Sequence, residues 1–207
     1  MASETASPYL DERQLDALRE VANIGCGHAA TALSKLMGGQ RVGIEVPRAA
    51  VIEFGAVAEL VGGHEAPVVG VATEIVGGLQ GGLLLLMPVA AAKRLAGILL
   101  GSGESLGPLG DDARSALCEV GNILGSACLS AIATAFGLRL MPSIPRLAQD
   151  MAGAVVGEVV CPMGARADRA VVLETRFTVG GGSALMGHFL ILPDVLSLPP
   201  LLAALGV

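Results

Sequence analysis

Polar positions are sparse along this chain, and where they recur they do so on two periods. Asp16, Glu20, Asn23, Gly27 and Thr31 follow the i, i+4, i+7 spacing of one helix face. At 100° per residue they fall within an arc of roughly 80°. Ser115, Glu119, Asn122, Ser126 and Ser130 repeat the arc 99 positions later (20 to 119). Almost every other position of the second segment is apolar or small, so most of that helix is buried and one line faces water. The first helix is expected to open at Ser7-Pro8, an N-cap followed by proline at the first helical position, and to run to about Met37 before Gly38-Gly39. The second opens at Asp111-Asp112 after Gly110 and ends near Gly137. Between and after them, β-branched and leucine-rich runs bounded by glycine predict strands over 41–46, 49–54, 67–76, 79–87, 138–141, 151–160, 169–179 and 184–192. Residues 90–100 read as a short helix and 101–110 as a linker.

The two helices belong to a longer repetition. Glu20-Val-Ala-Asn-Ile-Gly matches Glu119-Val-Gly-Asn-Ile-Leu, and six of nineteen aligned positions from Glu20 to Gly38 and Glu119 to Gly137 are identical. Further on, Gly82-Leu-Leu-Leu-Leu-Met-Pro88 answers Gly187-His-Phe-Leu-Ile-Leu-Pro193 at an offset of 105. Each is followed by an Ala/Leu-rich stretch ending in glycine, at Gly101 and Gly206. The expectation is one domain over 1–207 with repeats near 7–101 and 111–206. Its class would be α/β with pseudo-two-fold symmetry, the antiparallel sheet carrying both long helices on one face.

Composition narrows the function classes. Hydrophobic residues make up 53% and aromatic residues 2%, so Ala, Val, Leu, Ile and Gly carry the burial. The formal charge is −6 and the thirteen Lys and Arg are dispersed, which excludes the clustered cations of a nucleic-acid groove. Cys26, Cys118, Cys128 and Cys161 form no C-x-x-C, and His28, His64 and His188 lack ligand spacing, which argues against zinc. Buried thiols in a reducing cytoplasm are the expectation. No basic and apolar signal segment opens the chain. Mean hydropathy is +0.68, and residues 120–138 carry no charge over a bilayer-spanning length. Gly121, Asn122, Gly125, Ser126, Ser130 and Thr134 interrupt that run, so a core helix is expected rather than a span. The glycine clusters at 77–82 and 180–183 match neither a P-loop nor a dinucleotide fingerprint and read as hairpin turns. Ser34 and Ser130 have no neighbouring His and acid for nucleophilic catalysis.

A solvated face needs no asparagine, which is a poor helix former; its placement mid-helix twice, three residues after a glutamate, requires a reason. Asp16-x-x-x-Glu20-x-x-Asn23 and Ser115-x-x-x-Glu119-x-x-Asn122 resemble the signature of the CheC-type phosphatases of chemotaxis. The stretch from Asn23 to Ser34 is similar to the first copy of that signature, departing at His28, where the family commonly has Asn. Two motifs in this length resemble CheC more than single-motif CheX or the longer FliY. The resemblance implies hydrolysis of the phosphoaspartate of the response regulator CheY. Glu20 with Asn23 would form one site, and Glu119 with Asn122 the other. It implies no cofactor of the chain's own, the Mg²⁺ belonging to the phosphorylated regulator, and a cytoplasmic location. It also implies CheD, a receptor-modifying enzyme, as a partner.

The residue types suit that chemistry. Phosphoryl transfer has a loose transition state, so what a partner must add is an in-line water. An amide can orient water without placing negative charge beside an anionic phosphoryl group. Asn23 and Asn122 are therefore the expected water-positioning residues. Glu20 and Glu119 would pair with the regulator's lysine. Asp16 and Ser115, a turn back, would assist docking. The competing function is a non-catalytic adaptor that docks CheY or CheD through the same helices. The glycines and imidazole of Gly25-Cys-Gly27-His28 predict a looser, more crowded first site, and hence a stronger second one.

Overall fold

The computed structural model describes residues 10–79, 81–102, 108–160, 169–179 and 184–193. In chain order the elements are α1 (Glu12–Leu36), β1 (Val42–Glu53), two 3-10 turns (Phe54–Ala56 and Ala58–Val61), β2 (Pro67–Gly77), β3 (Gly81–Pro88) and α2 (Val89–Leu100). Then follow α3 (Asp111–Phe136), β4 (Leu140–Pro142), β5 (Arg146–Met151), α4 (Ala152–Val160), β6 (Arg169–Val179) and β7 (Leu185–Pro193). The strands form one antiparallel sheet in the order β1-β6-β7-β3-β2-β4, with β5 also on β2.

The fold class read from sequence is the observed one, and the symmetry is visible in the pairing. The first-half strand β1 pairs with second-half β6, while second-half β4 and β5 pair with first-half β2. Each half thus supplies the edge strand of the other. Both edges break at a proline: β1 shifts register between Glu45 and Arg48, around Pro47, and β4 and β5 are separated around Pro145. Proline has no N–H to give to a ladder, so the break falls there. Beyond each break the register is the same, Arg48 opposite Glu174 and Arg146 opposite Ala72. In the central pair Leu85 lies opposite Phe189, an offset of 104 (85 to 189). The glycine and proline landmarks had suggested 105. A slip of one residue would turn every side chain of β7 to the other face, and burial of Leu85 with Phe189 under the helices excludes it.

Both faces of the sheet are covered. The larger core packs α1, α2 and α3 on Val71, Leu83, Leu85, Leu173, Phe177 and Phe189. The smaller packs the 3-10 turns and α4 on Val68, Leu84, Leu86, Val172 and Leu190. α3 is the one helix, among the described residues, long and apolar enough to cross a membrane. It lies within the core, with Leu117, Val120, Leu124, Cys128, Leu129 and Ile132 buried.

Several boundaries differ from expectation. α1 starts at Glu12, where Asp11 accepts from Gln14 N–H at 2.8 Å and Gln14 Oε1 accepts from Asp11 N–H at 2.9 Å, a capping box. Ser7 and Pro8 lie outside the described residues. The strands expected at 41–46 and 49–54 are one bulged strand. The strand expected at 151–160 is α4: its buried residues Ala152, Val155 and Val156 follow i, i+3, i+4, and a short apolar run does not separate helix from strand. β5 has no apolar alternation and was not anticipated. The turn at 180–183, Cys161 and residues 103–107 of the linker lie outside the described residues.

Candidate functional site

α1 and α3 pack side by side and antiparallel. Gly25 meets Ala127 and Cys128, while Leu36, at the end of α1, lies beside Ser115 and Ala116, near the start of α3. Close approach requires Gly25: a Cβ there would stand 2.9 Å from the Cys128 Cα. Gly121 likewise seats α3 on β2, with a Cβ falling 2.5 Å from Val71 Cγ1. Gly25 thus lets α1 and α3 approach closely, a packing role for a residue expected from sequence to loosen the first site. His28 is exposed.

The two polar stripes lie where the periodicity put them, on the outer face of the helix layer. Asp16, Glu20, Gly27 and Thr31 are exposed, as are Ser115, Glu119, Ser126 and Ser130; Asn23 and Asn122 are half-buried. Because the helices are antiparallel, the motifs occupy different ends of the pair.

Their chemical states differ. In the first motif, Asn23 Oδ1 accepts from Val46 N–H at 2.9 Å and Nδ2 lies 3.5 Å from the Val46 carbonyl oxygen. Val46 sits at the proline break of β1, where the ladder to β6 lapses, and the amide substitutes for it. Arg19 lies 3.2 Å from Asp16 and 3.9 Å from Glu20, both exposed pairs of small energetic consequence.

In the second motif, Asn122 and Glu119 have no hydrogen-bond or ion-pair partner among the described residues. Position 118, the counterpart of Arg19, is Cys118, half-buried, its thiol raised by burial and lowered in part by Arg114. The break in the edge strand is anchored to β2 instead. Glu74 N–H donates to Ser143 Oγ and Ser143 N–H donates to the Glu74 carbonyl, each at 2.9 Å. Ile144, the counterpart of Val46, is 87% exposed, against 3% for Val46. Glu119 and Asn122 open onto a cleft of about 440 Å³ whose other walls include Leu36, Leu99, Leu100 and Pro145. Both motifs were legible in the sequence. The partners that distinguish them were not, although Pro47-Arg48 and Pro145-Arg146 marked the two breaks.

Cys26 and Cys128 are buried between the helices, and burial pushes the Cys26 thiol up to about 11 and that of Cys128 higher still. No group of three or more His, Cys, Asp or Glu suited to a metal occurs among the described residues.

The fold is similar to that of FliY from Thermotoga maritima. That structure aligns with 95% of this chain and 98% of its own, with a TM-score of 0.78 at 20% identity. The FliM middle domain of Helicobacter pylori aligns with 94% of this chain and 99% of its own, with a TM-score of 0.68 at 14% identity. Sequence comparison is more specific. A CheC-like family model matches residues 14–51, the segment carrying Glu20, Asn23 and Val46. The CheY-P phosphatase CheC of Bacillus subtilis is 35% identical over 95% of this chain and 96% of its own length. The chain belongs to the CheC-like family. The flagellar motor switch phosphatase FliY of the same organism is 30% identical over 67% of this chain and 36% of its own length.

Proposed function

We propose that this chain hydrolyses the phosphoaspartate of phosphorylated CheY and that Glu119 and Asn122 form its principal site. The observation that carries the reading is the pair itself, one helical turn apart on a packed helix, with an amide and a carboxylate that no other group in the described residues occupies. The names of its relatives, CheY-P phosphatase CheC and motor switch phosphatase FliY, agree with it.

In this mechanism Asn122 places a water in line with the phosphorus through its carbonyl oxygen and NH₂ group, adding no charge. Glu119 pairs with the lysine beside the phosphoaspartate and fixes the docked geometry. Mg²⁺ arrives with the substrate, and the chain supplies position rather than a nucleophile. Ser115, one turn before Glu119, borders the same cleft and assists docking. At the first site Glu20 and Asp16 contribute docking, while Asn23, held by Val46, contributes less to turnover.

The test is the decay of acetyl-phosphate-labelled CheY with and without the protein. Accelerated decay that Asn122→Ala abolishes supports the reading. Unaccelerated decay together with tight binding of phosphorylated CheY would make the chain an adaptor instead. CheD as a partner is a separate proposal, tested by co-purification of the two proteins.

A further inference from the structure

The cleft beside Asn122 is walled by apolar side chains that face water. Leu36 is 56% exposed and Leu100 is 46% exposed. Pro145 lines the same cleft and Ile144 precedes it on the edge of the sheet, 87% exposed. Apolar groups gathered on one rim are the usual mark of a surface that another molecule covers.

Two of these positions differ at the first motif, beside which Ile24 is exposed. At the offset that relates the helices, Leu36 corresponds to Ala135 (36 to 135), and at the proline breaks Ile144 corresponds to Val46, which is buried. Exposed Leu36 and Ile144 are therefore particular to the motif whose amide has no partner among the described residues. Among the described residues lining the cleft there is no Lys, Arg or His, and Glu119 contributes a carboxylate. A small acyl phosphate entering alone would meet negative charge with nothing to neutralise it. The occupant must bring its own cation beside its phosphoryl group and an apolar surface broad enough to cover Leu36, Leu100 and Ile144.

We infer that this rim is the recognition surface for a phosphorylated receiver domain, and that Leu36 and Ile144 set the affinity of the second site. The inference rests on the phosphatase reading for its occupant. It assigns binding to the rim and leaves the chemical step to Asn122.

Steady-state hydrolysis of phosphorylated CheY by the full chain, by Leu36→Ala and by Ile144→Ser tests it. Met151→Ser, at the far end of the same edge strand, is the control. The expected result is a KM raised about tenfold by Ile144→Ser and several-fold by Leu36→Ala, with kcat within about twofold of the parent, since burial of one such side chain is worth about that factor. Met151→Ser should leave both constants unchanged. Unaltered KM in the two rim variants would overturn the inference. So would loss of a parental dimer in Ile144→Ser with KM retained, because the rim would then join copies of this chain. Hydrolysis of free acetyl phosphate as efficient as that of the protein substrate would also overturn it. If the parent shows no phosphatase activity, titration with beryllofluoride-activated CheY decides separately. Weaker binding in both rim variants sustains the surface, and unchanged binding removes it.

Discussion

The side chain of Asn23 completes the backbone of Val46, accepting its N–H at 2.9 Å where proline interrupts the ladder from β1 to β6. The equivalent break in the second half is completed by Ser143 on Glu74, and Asn122 has no hydrogen-bond partner among the described residues. The two asparagines, equivalent in sequence position, thus differ in their surroundings.

Asn122→Ala should lower the rate of CheY dephosphorylation by about 10²-fold, the scale of losing a positioned reactant, while leaving thermal stability unchanged or slightly higher, since alanine is the better helix former. Asn23→Ala should do the opposite. It orphans a backbone N–H and weakens a carbonyl contact at a half-buried position, costing about 1–3 kcal/mol, and it should cost less than tenfold in rate. Single-turnover kinetics and thermal melts of the two variants are the measurements. A larger rate loss for Asn23→Ala than for Asn122→Ala would reverse the assignment of the sites. The hydrogen bond of Asn23 to Val46 departs from the expectation that both asparagines stand on an exposed stripe.

Glu119→Lys should weaken binding of phosphorylated CheY about tenfold and Glu119→Gln less, because the first opposes the substrate's lysine and the second only fails to attract it. Glu20→Lys should have a smaller effect, since Arg19 already lies 3.9 Å from that carboxylate. Titration at two salt concentrations is the check. Unchanged affinity for both variants would show that the charge of Glu119 plays no part.

The motifs and both helices were readable because a narrow polar stripe on an apolar helix leaves few alternatives, and Glu-x-x-Asn occurred twice at one offset. What escaped the sequence was set by contacts between distant segments. Nothing in the order Glu-Val-Asn assigns Asn23 to a strand bulge 23 residues away, or frees Asn122 from its counterpart. The helix at 152–160 read as a strand because Ala-Gly-Ala-Val-Val satisfies either period over so short a length. The exchanged edge strands depend on which half each strand finds, which local pattern does not encode.

Gly25→Ala should destabilise the protein by about 1–3 kcal/mol, because its Cβ would press on the backbone of Cys128 and neither helix can yield without repacking the other. For a chain of this size that is a melting temperature lower by about 2–4 °C per kcal/mol. Gly27→Ala should be neutral or stabilising, as nothing lies within 4 Å of a Cβ there. Equal melting temperatures for the two variants would mean that the helix crossing has slack that the geometry denies.

The buried thiols give the helix pair an alkaline limit. Burial raises Cys26 from 9.0 to about 11, and burial together with Cys26 raises Cys128 further. The folded state therefore holds protons that the unfolded chain releases above about pH 9, so the stabilising contribution is complete below pH 9 and is lost as pH rises toward 11. Each thiol can add a slope of up to about 1.4 kcal/mol per pH unit across that window. Melting temperature should fall from pH 9 to pH 11 in the parent and fall less steeply in Cys26→Ala, whatever that variant's starting stability. The same burial should keep Cys26 and Cys128 from iodoacetamide under native conditions at pH 8, with half-buried Cys118 alkylated first among the three. Mass mapping of the alkylated peptides separates them. If Cys26 or Cys128 were labelled as fast as Cys118, the α1–α3 seam would be opening on the timescale of the reaction, and a rigid seam could not be what holds Glu119 and Asn122 in place.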